Sequence, residues 1–329
     1  MTEIQLSLFD DETPHGNDDK SKNVTGVNWS FSRRSMLEQC ARRYYYEYYG
    51  ASKRNALSEP DKDQLHNLKR IENRFARAGS ILHLVISQYF RQAQNGISWD
   101  LNKLQNWAKD LFMKDINYSY ADPDGLSVHR ESYPPILLQE FNQRLTNAKD
   151  LCLDLLERTL DSLTSFYVSE KFLFYREAGK TKGSLIEHLF KLKRYFVRID
   201  GKIDLAFIDQ NAAFIVDWKS GRSDAGGDDS LQLATYALWA ADYFKFEPNK
   251  IRVMKAYLSD AAIVEFKVDE RLLDLALARI LQDAERMASV THYGKDGIAS
   301  AFTPCAHKLV CQLCSFVPAC EEGKQSLYD

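Results

Sequence analysis

The chain has 329 residues, enough for one large hydrophobic core or two smaller ones, so length alone leaves the number of domains open. Hydrophobic residues make up 45% and charged residues 27%, as in ordinary globular proteins, and the net charge of −3 gives no overall basic excess. A local basic groove for nucleic acid is still compatible with that charge. No run of eighteen apolar residues and no secretory signal occur, so we expect a cytoplasmic protein without a membrane partner.

The N-terminal leader contains a short apolar sequence. Residues 10–28 are rich in polar residues and predict disorder, with order beginning near Trp29, so residues 1–28 are interpreted as a leader. Within it, Gln5-Leu6-Ser7-Leu8-Phe9 resembles the Gln-Leu-x-Leu-Phe peptide by which bacterial DNA polymerases and repair proteins dock on the sliding clamp. The resemblance implies a sliding-clamp partner bound through Gln5, Leu6, Leu8 and Phe9. The alternative is a chance match of five residues.

A basic and aromatic helix is predicted over Ser30–Tyr49, with Ser32 as its N-cap and Gly50 as its stop. Its arginines precede a run of tyrosines, and arginines bind phosphates while aromatic rings stack on unpaired bases. Arg33 and Arg34 are therefore candidate DNA contacts at a single-strand channel. The alternative is that the tyrosines pack in the core and the arginines face water.

The next part of the chain is predicted to be helical. Helical periodicity covers Phe75–Gln94 and, after residue 97, most of the chain as far as residue 180, notably Pro135–Val168. A loop at Ala121–Tyr133 interrupts this region. Residues 96–183 show no chemical signature and are interpreted as a helical insertion.

From Leu185 the apolar residues recur at every second position, which is typical of strands. Consecutive strands are predicted in the sequences HLFKLK, YFVRIDG, KIDLAFI and AAFIVDWK. A helix over Leu231–Tyr243, strands over Arg252–Leu258 and Ile263–Val268, and a helix over Glu270–Ala288 follow. Helices flanking a small mixed β-sheet indicate an α/β or α+β fold.

Two aspartates and a lysine fall together on the predicted strands. Residues two apart in a strand project to the same side, so Asp217 and Lys219 share a face, and Asp204 can meet them from the neighbouring strand. Two carboxylates at one point repel unless a divalent cation neutralises them, and oxygen ligands suit Mg²⁺ or Mn²⁺. A lysine there can polarise an attacking water. Alternatively, the aspartates cap strand ends and Lys219 is solvated.

The surrounding sequence resembles that of RecB-like PD-(D/E)XK nucleases. IDGKIDLAF and FIVDWKSG look like the second and third motifs of that family, Gly79-Ser80-Ile81-Leu82-His83 resembles its upstream Gly-x-x-Leu-His element, and Gln232-Leu233-Ala234-Thr235-Tyr236 resembles its downstream Gln-x-x-x-Tyr element. The order of the four elements also matches. The resemblance implies a restriction-endonuclease-like fold with one nuclease domain over residues 29–329.

The same resemblance implies roles for individual residues. His83, Asp204 and Asp217 would bind the metal together with the backbone carbonyl of Trp218, and Lys219 would serve the nucleophilic water. Glu187 would add an outer-shell carboxylate, or is instead a solvated strand residue. Gln232 and Tyr236 share one helix face and would contact a DNA strand.

The implied activity is cleavage of DNA, most simply as an exonuclease on single strands or ends in repair, recombination or defence. The alternative within the class is an endonuclease. No P-loop pattern occurs, so any helicase would be a separate partner.

The cysteines suggest a second metal centre. Cys311, Cys314 and Cys320 leave a tetrahedral site one ligand short, and Cys40 lies far upstream. This arrangement resembles the iron–sulfur subset of RecB-like nucleases, which includes AddB-type subunits and CRISPR-associated nucleases. It implies a [4Fe–4S] cluster on these four cysteines that closes the fold through segment 302–321.

Other interpretations of the cysteines stay open. Ala41 stands where that subset often has Pro, Cys305 is a rival ligand, and Cys152 is most simply a core residue. A zinc-binding structural protein and a non-catalytic iron–sulfur DNA-binding subunit of a larger complex are the alternatives from other classes.

Overall fold

The computed structural model describes residues 26–52, 59–125, 132–224 and 229–328, and the predicted clamp-docking peptide lies outside them. The strands are β1 (Val27–Trp29), β2 (Leu185–Arg194), β3 (Val197–Asp209), β4 (Ala212–Lys219), β5 (Ile251–Tyr257) and β6 (Ala262–Phe266). The α-helices are α1 (Phe31–Gln39), α2 (Ala41–Tyr45), α3 (Glu59–Lys69), α4 (Arg74–Gln94), α5 (Leu101–Ala121), α6 (Gln139–Asn142), α7 (Ala148–Val168), α8 (Leu173–Gly179), α9 (Ser230–Phe244), α10 (Glu270–Lys295), α11 (Lys308–Gln312) and α12 (Glu321–Tyr328). None of the helices in these ranges is both long and apolar enough to cross a membrane.

The six strands form one mixed sheet around β3. The first residues of β3 pair with β1 in parallel, most of its length pairs antiparallel with β2, and its last part pairs antiparallel with β4. Strand β5 runs parallel to β4, which requires a crossover connection, and helix α9 lies in that connection. Strand β6 completes the sheet antiparallel to β5. The predicted α/β class with a mixed sheet flanked by helices is confirmed.

Helices cover both faces of the sheet. Alternate strand residues point to opposite faces. On one face Ile199, Ile215 and Val253 pack into a core shared with α9 and α10. On the other face Phe207 and Trp218 pack into a second core shared with α4, α5 and α7. The helical region predicted over residues 96–183 therefore covers this face of the sheet together with α4.

Several predicted boundaries were wrong. The sequences YFVRIDG and KIDLAFI were expected to form two strands. From Val197 onward they lie on the single strand β3, because no turn interrupts the alternation at Gly201-Lys202. The helix predicted over Pro135–Val168 is divided into α6 and α7 by a turn that includes Arg144, whose φ is 57°. Strand β1 was not predicted, and it places Val27 and Asn28 in the sheet although they were assigned to the leader.

The helix predicted over Ser30–Tyr49 is also divided. Cys40 has an extended backbone (φ −159°, ψ 105°), which ends α1, and its Sγ accepts a hydrogen bond from the Arg43 N–H at the start of α2. The N-cap of α1 is Ser30 rather than Ser32, since the Ser30 hydroxyl accepts from the Arg33 N–H. A π-helical turn then ends at Gly50, as the sequence predicted for the stop.

Candidate active site

The sheet brings the two aspartates of the candidate site together. In the β3–β4 ladder Leu205 pairs with Val216, so the next step of the same register places Asp204 opposite Asp217. Both aspartates are buried. The backbone N–H of Trp218 donates to Asp204 Oδ2 at 2.8 Å. Because the N–H and C=O of one strand residue point to the same side, the Trp218 carbonyl is directed toward β3 as well, which supports its predicted role as a ligand.

A cluster of potential metal ligands forms where helix α4 crosses the sheet. His83 Nδ1 lies 3.1 Å from Asp204 Oδ1 and 3.7 Å from Glu187 Oε1. One ligand atom from each of the three residues lies within 4.8 Å of the others. Burial disfavours a charged imidazole, yet the Asp204 and Glu187 carboxylates outweigh it and raise the pKa of His83 to about 10. The two carboxylates of the cluster thus stabilise a positive charge at the position of the His83 imidazole.

The Glu187 carboxylate reaches this cluster through an unusual backbone conformation. Glu187 has a φ of 49°, in the left-handed region that residues with a side chain seldom adopt. Its other oxygen forms an ion pair with Lys202 on β3. The sequence left Glu187 open as either a solvated strand residue or an outer-shell carboxylate. The structure places it beside His83.

Lys219 and Asp217 form the second half of the site. Lys219 Nζ forms an ion pair with Asp217 Oδ2 at 2.7 Å, and Asp217 is only 3% exposed. Burial and the facing Asp204 carboxylate raise the pKa of Asp217 above its usual range, against the effect of Lys219. Burial lowers the pKa of Lys219, but Asp217 and Asp229 reverse the sign and raise it, so Lys219 is a cationic donor.

Helix α9 completes a closed ring of polar contacts around this pair. Lys219 Nζ donates to Gln232 Oε1 at 3.3 Å, Gln232 Nε2 donates to the Tyr236 hydroxyl at 2.7 Å, and that hydroxyl donates to Asp217 Oδ1 at 3.4 Å. Burial raises the pKa of Tyr236, which keeps the hydroxyl protonated as a donor. Gln232 and Tyr236, predicted to contact DNA, therefore have an immediate role in orienting Asp217 and Lys219.

Two residues of this network were missed in the sequence. Asp229, just before α9, accepts ion pairs from Lys219 at 3.7 Å and from Lys255 at 3.0 Å. Lys255 pairs with Asp217 in the β4–β5 register and is buried. A lysine inside the apolar strand sequence RVMKAYL was the available signal, since a buried lysine requires an anionic partner.

Arg33 and Arg34 are engaged within the protein. The Arg33 guanidinium lies over the Tyr48 ring, 4.2 Å from its centroid, and Arg34 pairs with Glu38 at 2.9 Å and with Asp283 at 3.4 Å. Several of the neighbouring tyrosines, Tyr44, Tyr45 and Tyr46 among them, are buried in the core. The contact of both arginines with DNA stays a prediction.

The cysteines near both ends of the described chain meet in one cavity. Its lining includes Cys40 and, from the C-terminal segment, Cys305, Cys311, Cys314 and Cys320. The rest of the lining combines apolar side chains, such as those of Tyr46 and Phe316, with Arg42 and Arg43. Cys152 lies apart from them on α7, fully buried in the second core.

Backbone contacts hold the two walls of this cavity together. Arg42 Nε donates to the Phe302 carbonyl at 2.9 Å, and the Arg42 N–H donates to the Thr303 carbonyl. The Tyr46 hydroxyl donates to the Ala319 carbonyl at 2.8 Å. The extended backbone at Cys40 is what directs this thiol toward the C-terminal segment.

Comparison with known proteins identifies the class. A family model described as the PD-(D/E)XK nuclease superfamily matches residues 28–321. The chain therefore belongs to the PD-(D/E)XK nuclease superfamily. Among solved structures, one titled "Crystal structure of SSO0001" is 14% identical and covers 65% of this chain and 95% of its own, with a TM-score of 0.30. A search of curated proteins gave no significant match.

Proposed function

We propose that this protein is a metal-dependent deoxyribonuclease of the RecB-like type, which hydrolyses phosphodiester bonds of single strands or DNA ends. The observation that carries the proposal is the meeting of a three-residue ligand cluster with a buried Asp–Lys pair at the end of the β3–β4 ladder. Membership of the superfamily supports nuclease chemistry at this position.

The donor set fits a hard divalent cation. His83, Asp204 and Asp217 would hold Mg²⁺ or Mn²⁺, with the Trp218 carbonyl as a further ligand and Glu187 beside them. Asp217 is buried and faces Asp204, and two facing carboxylates favour a cation between them. A bound ion supplies the positive charge that stabilises the phosphate during hydrolysis.

The chain's own groups orient the nucleophile. Lys219, kept protonated by Asp217 and Asp229, donates a hydrogen bond to the attacking water or to the phosphate. Gln232 fixes the direction of the Lys219 ammonium, and Tyr236 fixes the Asp217 carboxylate. Lys219 is therefore assigned as the donor that positions the attacking water or the phosphate.

We extend the proposal to a [4Fe–4S] cluster on Cys40, Cys311, Cys314 and Cys320. All four thiols line one cavity, and thiolates are the usual ligands of iron–sulfur clusters. Cys305 lines the same cavity and interacts with Cys40, so it is the rival ligand.

The proposal is tested with purified protein, Mg²⁺ or Mn²⁺, and end-labelled single- and double-stranded oligonucleotides. Cleavage should require the cation and stop on addition of EDTA. Separate 5′ and 3′ labels distinguish an exonuclease, which releases short labelled products from one end, from an endonuclease. Full-length DNA after prolonged incubation with either metal would refute the proposal.

A further inference from the structure

A single cleft leads from the candidate active site to an exposed aromatic ring. Its catalytic end is lined by His83, Asp204, Asp217 and Lys219. Its other walls come from the start of α1, from strand β3 and from the first turns of α4, where Phe75, Ala76, Gly79 and Ser80 line it. Phe75 is 47% exposed although it is a large apolar residue.

The neighbouring Arg74 side chain fixes the position of the Phe75 ring. The Arg74 guanidinium lies 4.3 Å from the centroid of the ring, and Arg74 Nη1 is itself fixed by the buried Glu140 carboxylate at 2.9 Å. The Arg74 N–H also donates to Glu140. One side of the ring is thus covered by a fixed cation, and the exposed part borders the cleft. The exposed part of the Phe75 ring is therefore available for stacking against another aromatic ring.

Small residues keep the path between Phe75 and the metal ligands open. Phe75, Gly79 and His83 follow one another at intervals of four residues along α4, so Phe75 lies about 12 Å along the helix from His83. A Cβ at Gly79 would contact nothing within 4 Å. At ~3.4 Å per stacked nucleotide, this distance from His83 corresponds to about three or four nucleotides.

We infer that Phe75 stacks on an unpaired base of the strand being cleaved and thereby makes the enzyme prefer single-stranded DNA. In a duplex both faces of each internal base are already covered by the neighbouring base pairs. The Phe75 ring can therefore stack only on a base of an unpaired strand. The inference rests on the proposed nuclease function and adds the residue that selects the substrate.

The test pairs a protein change with a matching change in the DNA. Phe75→Ala should raise KM for single-stranded oligonucleotides roughly tenfold to a hundredfold with little change in kcat. Phe75→Trp should keep KM near that of the wild type. Phe174→Ala is the matched control, because Phe174 is 44% exposed and packs on Phe207 and Phe214 instead of lining the cleft.

An abasic site moved along the oligonucleotide provides the second readout and uses unaltered protein. At one position, a few nucleotides from the cleaved bond, it should raise the wild-type KM as much as Phe75→Ala does. At that position it should have no further effect on the Phe75→Ala variant. Equal KM values for wild type and Phe75→Ala, or wild-type cleavage that tolerates an abasic site everywhere, would overturn the stacking role alone. Failure of the wild type to bind or cleave any DNA would overturn the nuclease proposal with it.

Discussion

Glu187 and Asp204 occupy the step of the β2–β3 ladder at which strand pairing is interrupted. Ile186 pairs with Leu205 and His188 with Ile203, whereas the residues between them do not pair. The left-handed φ of Glu187 coincides with this interruption. Such a conformation costs about 1–3 kcal/mol, and it is found where the surroundings compensate for it. Here it directs the carboxylate toward His83 and Lys202.

Replacing this carboxylate should weaken metal binding. We expect Glu187→Gln to raise the dissociation constant for Mn²⁺ roughly tenfold to a hundredfold, because the amide removes a negative charge beside the ligands. Calorimetric titration with Mn²⁺ measures the effect. Glu177→Gln is the control, since Glu177 lies on α8 and pairs with Lys180. Identical affinities in both variants would assign Glu187 a structural role only.

Hydrogen bonds from the helical part of the chain to the C-terminal cysteine segment should contribute to the stability of the fold. Gln139 Nε2 donates to the Gln312 carbonyl at 2.9 Å, and Asn73 Nδ2 donates to the Leu313 carbonyl at 3.4 Å. Both carbonyls lie between Cys311 and Cys314. Gln139→Leu should lower the free energy of unfolding by about 1–3 kcal/mol, because it leaves a carbonyl without its partner.

Chemical denaturation measures this change, with Gln143→Leu as the control one turn further along the chain. The iron content of the two purified variants gives a second comparison. Loss of stability in the Gln143 variant equal to that in the Gln139 variant would contradict the assigned contact.

Cys40 and Cys305 are the two candidates for the fourth ligand of the cluster, and replacing them should have opposite effects on its retention. Cys40→Ser should lose the brown colour, the broad absorbance near 400 nm and several kcal/mol of stability, because it removes the ligand that closes a long loop. Cys314→Ser should have the same effect. Cys305→Ser should keep its iron and sulfide, although Cys305 lines the same cavity. Iron and sulfide analysis decides between them. An essential Cys305 with a dispensable Cys40 would show that the ligand set is wrong.

The leader should bind the host's sliding clamp. We propose that Leu6, Leu8 and Phe9 insert into an apolar groove and that Gln5 forms hydrogen bonds at its rim. A peptide of residues 1–15 should bind with micromolar affinity, about −8 kcal/mol, because it must become ordered on binding. Tethering would then raise the local concentration of the nuclease on DNA.

Titration calorimetry with the purified clamp measures that affinity, and a peptide carrying Leu8→Ala and Phe9→Ala is the control. Deleting residues 1–10 should leave cleavage of naked oligonucleotides unchanged. No detectable heat of binding at a few hundred micromolar peptide would show that the resemblance to the clamp-docking peptide is a chance match.

Much of the catalytic geometry follows from local rules. Strand alternation alone places Asp217 and Lys219 on one face, and antiparallel register brings Asp204 opposite them. His83 lies far from these strands in sequence, and Gln232 and Tyr236 lie on the helix after β4, so only the order of family-like motifs indicated them. Their proximity depends on how α4 and α9 pack on the sheet, which no local pattern encodes.

The remaining features depend on contacts between distant parts of the chain. Helical periodicity continues across Cys40, because the break there is imposed by packing against the C-terminal segment and not by a helix-breaking residue. Strand β1 has three residues, too few for alternation to be detected. The position of Glu187 depends on a backbone conformation that its residue type does not favour.

The central claim is tested most directly by removing the two residues that define the Asp–Lys pair. Asp217→Ala and Lys219→Ala should each abolish Mn²⁺-dependent cleavage of end-labelled single-stranded DNA, because one removes a metal ligand and the other the donor to the water. Both variants should keep the circular-dichroism spectrum and the iron content of the wild type. Glu285→Ala, an exposed change on α10, is the control and should cleave normally. Cleavage at the wild-type rate by either active-site variant would contradict the account.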